Sequence, residues 1–193
     1  MVLVGCSQER QAAQVPLDYT QQIEQSRRIK DQFLRENPGS PWPAQQRSRF
    51  QGLIYFPVDP GYRLAGHLIP YAKQESVQML TTQGTPDTYT RYGYIDFAIE
   101  GQPCRLTVYT THVNHRLHYF LPFKDATNGQ ETYSVGRYVE IEVDAKGKVI
   151  LDFNLAYNPY CAYNHDYTCP IPPRENYLKV AIRAGEKKPK ADS

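Results

Sequence analysis

At 193 residues the chain fits a single domain with tails, because domains cluster near ~100–150 residues and all-β domains run longer. Its 22 basic and 20 acidic residues leave a formal charge of +2, which offers no basic patch and excludes nucleic acid as an expected partner. No segment approaches the ~18 consecutive apolar residues of a membrane-crossing helix, so membrane contact must come another way.

Sixteen tyrosines against 7 phenylalanines and one tryptophan suit half-buried strands or the wall of a ligand cleft, since each hydroxyl needs a partner once buried. In chain order, the first signal is an address. Leu3-Val4-Gly5-Cys6 matches the bacterial lipobox, an apolar pair and a small residue ahead of a cysteine that is acylated. It predicts a lipoprotein, with residues 1–6 the end of a signal peptide that starts upstream and Cys6 the lipid anchor through which the protein meets a membrane. Residues 7–16 are polar and aperiodic, as a flexible tether should be. Ser7 is not the aspartate that holds lipoproteins at the inner membrane, so the expected location is the bacterial cell envelope, at the outer membrane.

Between Asp18 and Arg35, the residues Tyr19, Ile23, Ile29 and Phe33 fall near one helical face and Asp31 and Arg35 form an i,i+4 pair, which predicts one amphipathic helix. Asn37-Pro38-Gly39-Ser40-Pro41 ends it. Beyond Gly52 the apolar period changes to two. Residues 53–56, 63–69 and 77–81 are short strand candidates bounded by proline, glycine or polar turns. Ile95, Phe97 and Ile99 alternate with Tyr94, Asp96 and Ala98, and residues 100–103 turn the chain into Leu106 and Val108, a hairpin. In a second hairpin Val139, Ile141 and Val143 lead through residues 144–147 to Val149, Leu151 and Phe153. Leu178, Val180 and Ile182 alternate in a final strand.

Eight or nine short strands with no helix between them predict a mainly β fold, an antiparallel sandwich or barrel with the N-terminal amphipathic helix packed outside. The domain is expected over residues 17–185, and the charged residues 186–193 are expected to be a disordered tail.

From residue 120 onward the chain carries FLPFKDATNGQETYSVGRYVEIEV, then DFNLAYNPYCAYN, then CPIPPRENYLKVAIRAGE. This ordered string resembles the uncharacterised bacterial and archaeal family called domain of unknown function 1684. RFQGLIYF at residues 49–56 and GYIDF at residues 93–97 look like its earlier landmarks. The resemblance implies a single domain and no particular activity. Tyr160 stands where the family often has a second proline, and His165 lies outside its pattern.

No motif demands a reaction, and no cofactor is expected. In NPYCAYNHDYTCP, Cys161 and Cys169 flank His165. Zinc needs about four ligands and closer cysteine pairs, and a thiol nucleophile needs a base held by a third group. In an exported protein a Cys161–Cys169 disulfide is the leading reading, worth ~2.5 kcal/mol in the chain-entropy model. Three reduced cysteines, or a bridge to Cys104, are the alternatives. His112, His115 and His118 share no strand face and have no carboxylate among them, so no metal is expected there.

Residues 125–138 form a polar loop between apolar strands. Arg137 suits a bidentate clamp on a carboxylate or phosphate, with hydroxyls from Thr127, Thr132 and Tyr133; the alternative is an Asp125–Arg137 pair bracing a glycine turn. Asp152 and Asn154 share a strand face, and with Asn158 and Asn176 they complete the candidate ligand-binding set. Asp125, Asp152 and Glu175 could in principle supply a carboxylate pair. The leading expectation is a membrane-tethered binding module for a small polar or anionic ligand. The alternatives are a hydrolase using Asp125 or Asp152 as base, and a structural or assembly protein of the cell envelope whose protein partner the sequence leaves unspecified.

Overall fold

The computed structural model describes residues 18–189; Cys6, the tether at residues 7–16 and the end of the tail at 190–193 lie outside the described residues. Helix α1 (Tyr19–Glu36) begins with a capping box: the Asp18 carboxylate accepts from the Gln21 N–H at 2.8 Å, and the Gln21 side chain accepts from the Asp18 N–H at 3.2 Å. Asn37, ahead of Pro38, turns extended and ends it.

The face that α1 buries differs from the expected one. Ile23 and Leu34 are buried, whereas Ile29 is 60% and Phe33 36% exposed. Between Ile23 and Leu34 the inner face is charged. Arg27 donates to the Phe56 carbonyl at 2.9 Å, Lys30 to the Glu186 carboxylate at 2.5 Å, and Asp31 accepts from the Leu53 N–H at 3.1 Å. Opposite the helix lie backbone groups and one buried carboxylate, so cations and an acceptor fit where apolar side chains would leave polar groups unpaired. Among the described residues no helix is long and apolar enough to cross a membrane.

Six strands, β1 (Arg63–Met79), β2 (Asp87–Ile99), β3 (Gln102–Val113), β4 (Arg116–Phe123), β5 (Arg137–Val139) and β6 (Lys148–Asp152), form one sheet in the order β5-β4-β3-β2-β1-β6, with every pair antiparallel. The sheet curls into a half-barrel. The first expected hairpin is β2–β3: Glu100 (φ 51°) and Gly101 (φ 77°) are both left-handed, the two-residue turn whose twist matches the strands. The second expected hairpin, Val139 through Phe153, is not formed as a ladder: β5 pairs with β4 and bridges Tyr157, β6 pairs with β1, and only the bridge Val143 to Val149 joins the two arms. Ile95, Leu106, Val108, Leu121, Phe123, Leu151 and Phe153 line one core cluster, a burial that stabilises by ~1.5–3 kcal/mol per large side chain.

Three expectations about strands are corrected. Residues 63–69 and 77–81 are not two strands: β1 runs through Pro70, where the register with β2 shifts between Pro70 and Glu75. A proline fits a strand at such an irregularity because it has no N–H to give the ladder. Gly93 faces Pro70 there, and a Cβ on it would meet the Ile69 carbonyl oxygen at 2.5 Å. Gly93→Ala should therefore destabilise by ~1–3 kcal/mol through overpacking, read as a lower thermal midpoint. Residues 53–56 make only the single bridge Tyr55 to Glu186. The last apolar run, Leu178-Val180-Ile182, is buried in the core but joins no ladder; separate bonds tie it down, from Leu178 N–H to Lys124 O and from Ala126 N–H to Val180 O.

Candidate functional site

Arg137, on the buried strand β5, is 0% exposed and reaches no solvent. Its guanidinium donates to the carbonyls of Ile182 (2.8 Å), Ala184 (2.5 Å) and Glu186 (3.1 Å), and to the Asp125 carboxylate (2.9 Å). Those carbonyls belong to alternate residues of the last segment, along an edge on which no strand pairs with it. The guanidinium supplies the donors that a neighbouring strand would have supplied. Burial pulls its pKa below the ordinary value and the Asp125 charge opposes that.

Asp125 is equally occupied. One oxygen takes the Thr127 N–H, the Thr127 hydroxyl and the Ile182 N–H, and the other takes Arg137. Thr132 bonds the Thr127 hydroxyl at 2.8 Å. The ligand clamp expected at Arg137, Thr127 and Thr132 is thus a sealed brace, and the physical reason is the row of carbonyls that needed donors.

Asn176 accepts from the Thr107 N–H and donates to the carbonyls of Thr107 and Pro122, bridging β3 and β4. Asn154 accepts from the Asp59 N–H and donates to the Asp59 carbonyl and the Tyr19 hydroxyl. Asn158 donates to the Lys187 carbonyl. These three amides are buried, each engaged with backbone, so they hold loops rather than face a ligand.

Glu186, read from its charge as the start of a disordered tail, is buried at 1% exposure. Its carboxylate takes Lys30 at 2.5 Å, the Tyr163 hydroxyl at 2.5 Å and the Asn158 N–H at 2.9 Å. Burial and the Glu186 charge together push the Tyr163 phenol well above its ordinary pKa. The backbone N–H groups of Glu186, Lys187 and Lys188 bond Ala156, Ile54 and Glu131. One sequence signal pointed here: the inward alternation of Leu178, Val180 and Ile182 continues through Ala184 to Glu186.

Cys161 and Cys169, expected to be joined, are both free thiols. They touch without a bond: the Cys161 N–H donates to the Cys169 sulfur at 3.2 Å, and the Tyr133 hydroxyl lies 3.9 Å from the Cys161 sulfur. His165 is exposed and its carbonyl takes Gln83, so it is not the base of a thiol nucleophile. His112 and His118 sit on β3 and β4 on either side of the turn that carries His115. Among the described residues no three His, Cys, Asp or Glu side chains gather as metal ligands.

An accessible concavity lies elsewhere, a groove of about 1000 Å³ between α1 and the outer face of β1 and β6. Its floor is three cross-strand pairs at alternate positions: Arg63 with Asp152, Ala65 with Ile150, His67 with Lys148. The intervening Leu64, Val149 and Leu151 turn inward to the core. Tyr19, Gln22, Ile23 and Ser26 of α1 make one wall, and Glu140, Glu142 and Asp144 line another side.

At one end Tyr19 donates to both oxygens of Asp152, at 2.9 and 2.8 Å, with Arg63 3.8 Å from the same carboxylate and 5.4 Å from the Tyr19 ring. Burial, reinforced by the Asp152 charge, raises the Tyr19 pKa. In the middle Ile150 is 43% and Leu155 45% exposed. At the other end the backbone N–H groups of Lys148 and Lys146, with the Lys148 and His67 side chains facing it, hold the Asp144 carboxyl below the usual range; His67 and Lys148 stand side by side as a cross-strand pair. Of the residues expected to bind a ligand, Asp152 alone lines this groove.

Sheet and groove together define a small, mainly β domain with an open groove. The chain belongs to the family described as protein of unknown function (DUF1684), whose model matches residues 48–187. It is similar to an uncharacterised protein of Haloarcula marismortui solved by NMR in solution, at 35% identity over 88% of this chain and 94% of that one, with a TM-score of 0.67. Comparison with curated proteins gives no match.

Proposed function

We propose that the protein is a lipid-anchored binding module of the cell envelope, held at the outer membrane through Cys6, that takes a small polar or anionic molecule in the groove beneath α1. The observation that carries this reading is the uncovered floor of β1 and β6, polar at both ends and apolar between. Lys148 and His67 supply donors for an anionic group, Ala65, Ile150 and Leu155 support an apolar body, and Arg63 with the Tyr19–Asp152 pair receives a polar end. Asp125 and Asp152 already accept several internal donors, which leaves neither placed as a general base.

Native mass spectrometry of the protein recovered from its own envelope should reveal a retained small molecule. His67→Ala/Lys148→Ala should release it, weakening affinity by ~10–100-fold as charge-assisted bonds are lost, with a melting temperature close to the parent's because both side chains are exposed. A protein that carries no such molecule, or retains it in the double variant, sinks the groove as the site. Labelled palmitate missing from Cys6 in the native product removes the anchor.

A further inference from the structure

The groove leaves Cys161 and Cys169 unused. They are 3% and 6% exposed, in direct contact, and each is fixed by a separate piece of backbone. Cys161 sits in the single 3-10 turn Tyr160–Ala162, whose N–H groups close on Pro159 and Tyr160. Cys169 precedes the Thr81–Pro170 bridge and donates its own N–H to the Thr82 hydroxyl at 3.1 Å. A merely apolar filling would not need the sulfur contacts the pair receives, from the Cys161 N–H to one sulfur and from the Tyr133 hydroxyl to the other.

We propose that Cys161 and Cys169 form a peroxide-reactive dithiol site, with Cys161 as the attacking thiol and Cys169 as the resolving one. Hydrogen bonding from Cys169, helped by Tyr133, holds the Cys161 thiol down to about 7 against the opposing effect of burial. The same contact, with burial, pushes the Cys169 thiol up. The two sulfurs therefore have unequal roles. The other titratable groups facing the pair are the phenols of Tyr133, Tyr138 and Tyr89, all pushed upward by burial and so neutral. With the pair at 3% and 6% exposure, a hydroperoxide hardly larger than water is the oxidant class that asks for the least displacement of the surrounding chain.

In the first step the Cys161 thiolate attacks one peroxide oxygen. The O–O bond breaks, an S–O bond forms, and the departing hydroxide takes a proton to become water. In the second step the Cys169 thiol gives up its proton and attacks the Cys161 sulfur; an S–S bond forms, the S–O bond breaks, and hydroxide leaves with that proton as water. Two thiols lose two electrons and two protons, and one hydrogen peroxide becomes two waters. A small dithiol reverses the change. The bond cross-links the Tyr160–Ala162 turn to the segment whose Pro170 carbonyl accepts the Tyr138 hydroxyl.

The test uses the full chain with Cys6→Ser and Cys104→Ser, so that only this pair reacts, treated with hydrogen peroxide, alkylated and weighed. The expected product lacks two hydrogens and returns to the dithiol with dithiothreitol. Cys169→Ser should stop at a sulfenic acid that dimedone traps, and Cys161→Ser should trap none. In the unmutated pair the rate should be level above pH about 7 and fall about tenfold per pH unit below it as the thiolate is lost. This profile needs no variant to fold. A pair that stays reduced in excess peroxide overturns the proposal, and so does a bridge that dithiothreitol leaves closed, which would make it a permanent staple.

Discussion

Arg137→Met should destabilise the fold by ~3–5 kcal/mol, the usual result of removing one partner of a buried charge pair, and a urea titration should show it as a lower midpoint. The change strands the Asp125 carboxylate and removes the donors from the Ile182, Ala184 and Glu186 carbonyls. Adding Asp125→Asn should recover part of the loss, because the unpaired charge goes with its partner while the carbonyls stay unserved. A native midpoint for Arg137→Met would refute the brace and return Arg137 to the list of ligand residues.

Glu186→Ala should lower stability on the order of 3 kcal/mol, although composition makes this residue look like the start of a loose end. It leaves three donors without their acceptor, those of Lys30, Tyr163 and Asn158. Lys188→Ala, two residues on and exposed, should stay within about 0.5 kcal/mol of the parent protein. Equal effects at the two positions in the same titration would show that the Glu186 carboxylate is not an anchor.

Local rules carried the sequence reading as far as local interactions reach. The β2–β3 hairpin was legible because strict alternation and a Glu-Gly turn sit within a few residues of one another. The start and stop of α1 were legible from Asp18 and Pro38 for the same reason. The inner face of α1 was not, because Arg27, Lys30 and Asp31 turn inward to meet acceptors and donors supplied by Phe56, Glu186 and Leu53. Periodicity scores apolar side chains and is blind to such partners.

The polar loop was correctly located as a cluster, yet its inward direction depends on the last segment lacking a strand neighbour, a fact of topology. The groove was missed for a related reason. Arg63, Ala65 and His67 meet Asp152, Ile150 and Lys148 only through the pairing of β1 with β6, some 80 residues apart in sequence.

The charged underside of α1 has a mechanical consequence. Its fastenings are discrete and ordered along the helix: Tyr19 to Asp152, Arg27 to the Phe56 carbonyl, Lys30 to Glu186. Tension drawn through the chain ahead of Asp18 loads them one at a time, as a zipper is loaded, instead of sharing the force as a lap joint does. The first of them to be loaded would be the Tyr19 contact, which stands at the α1 wall of the groove. A pull on that end would therefore bear on the groove wall before it reached the rungs of the sheet.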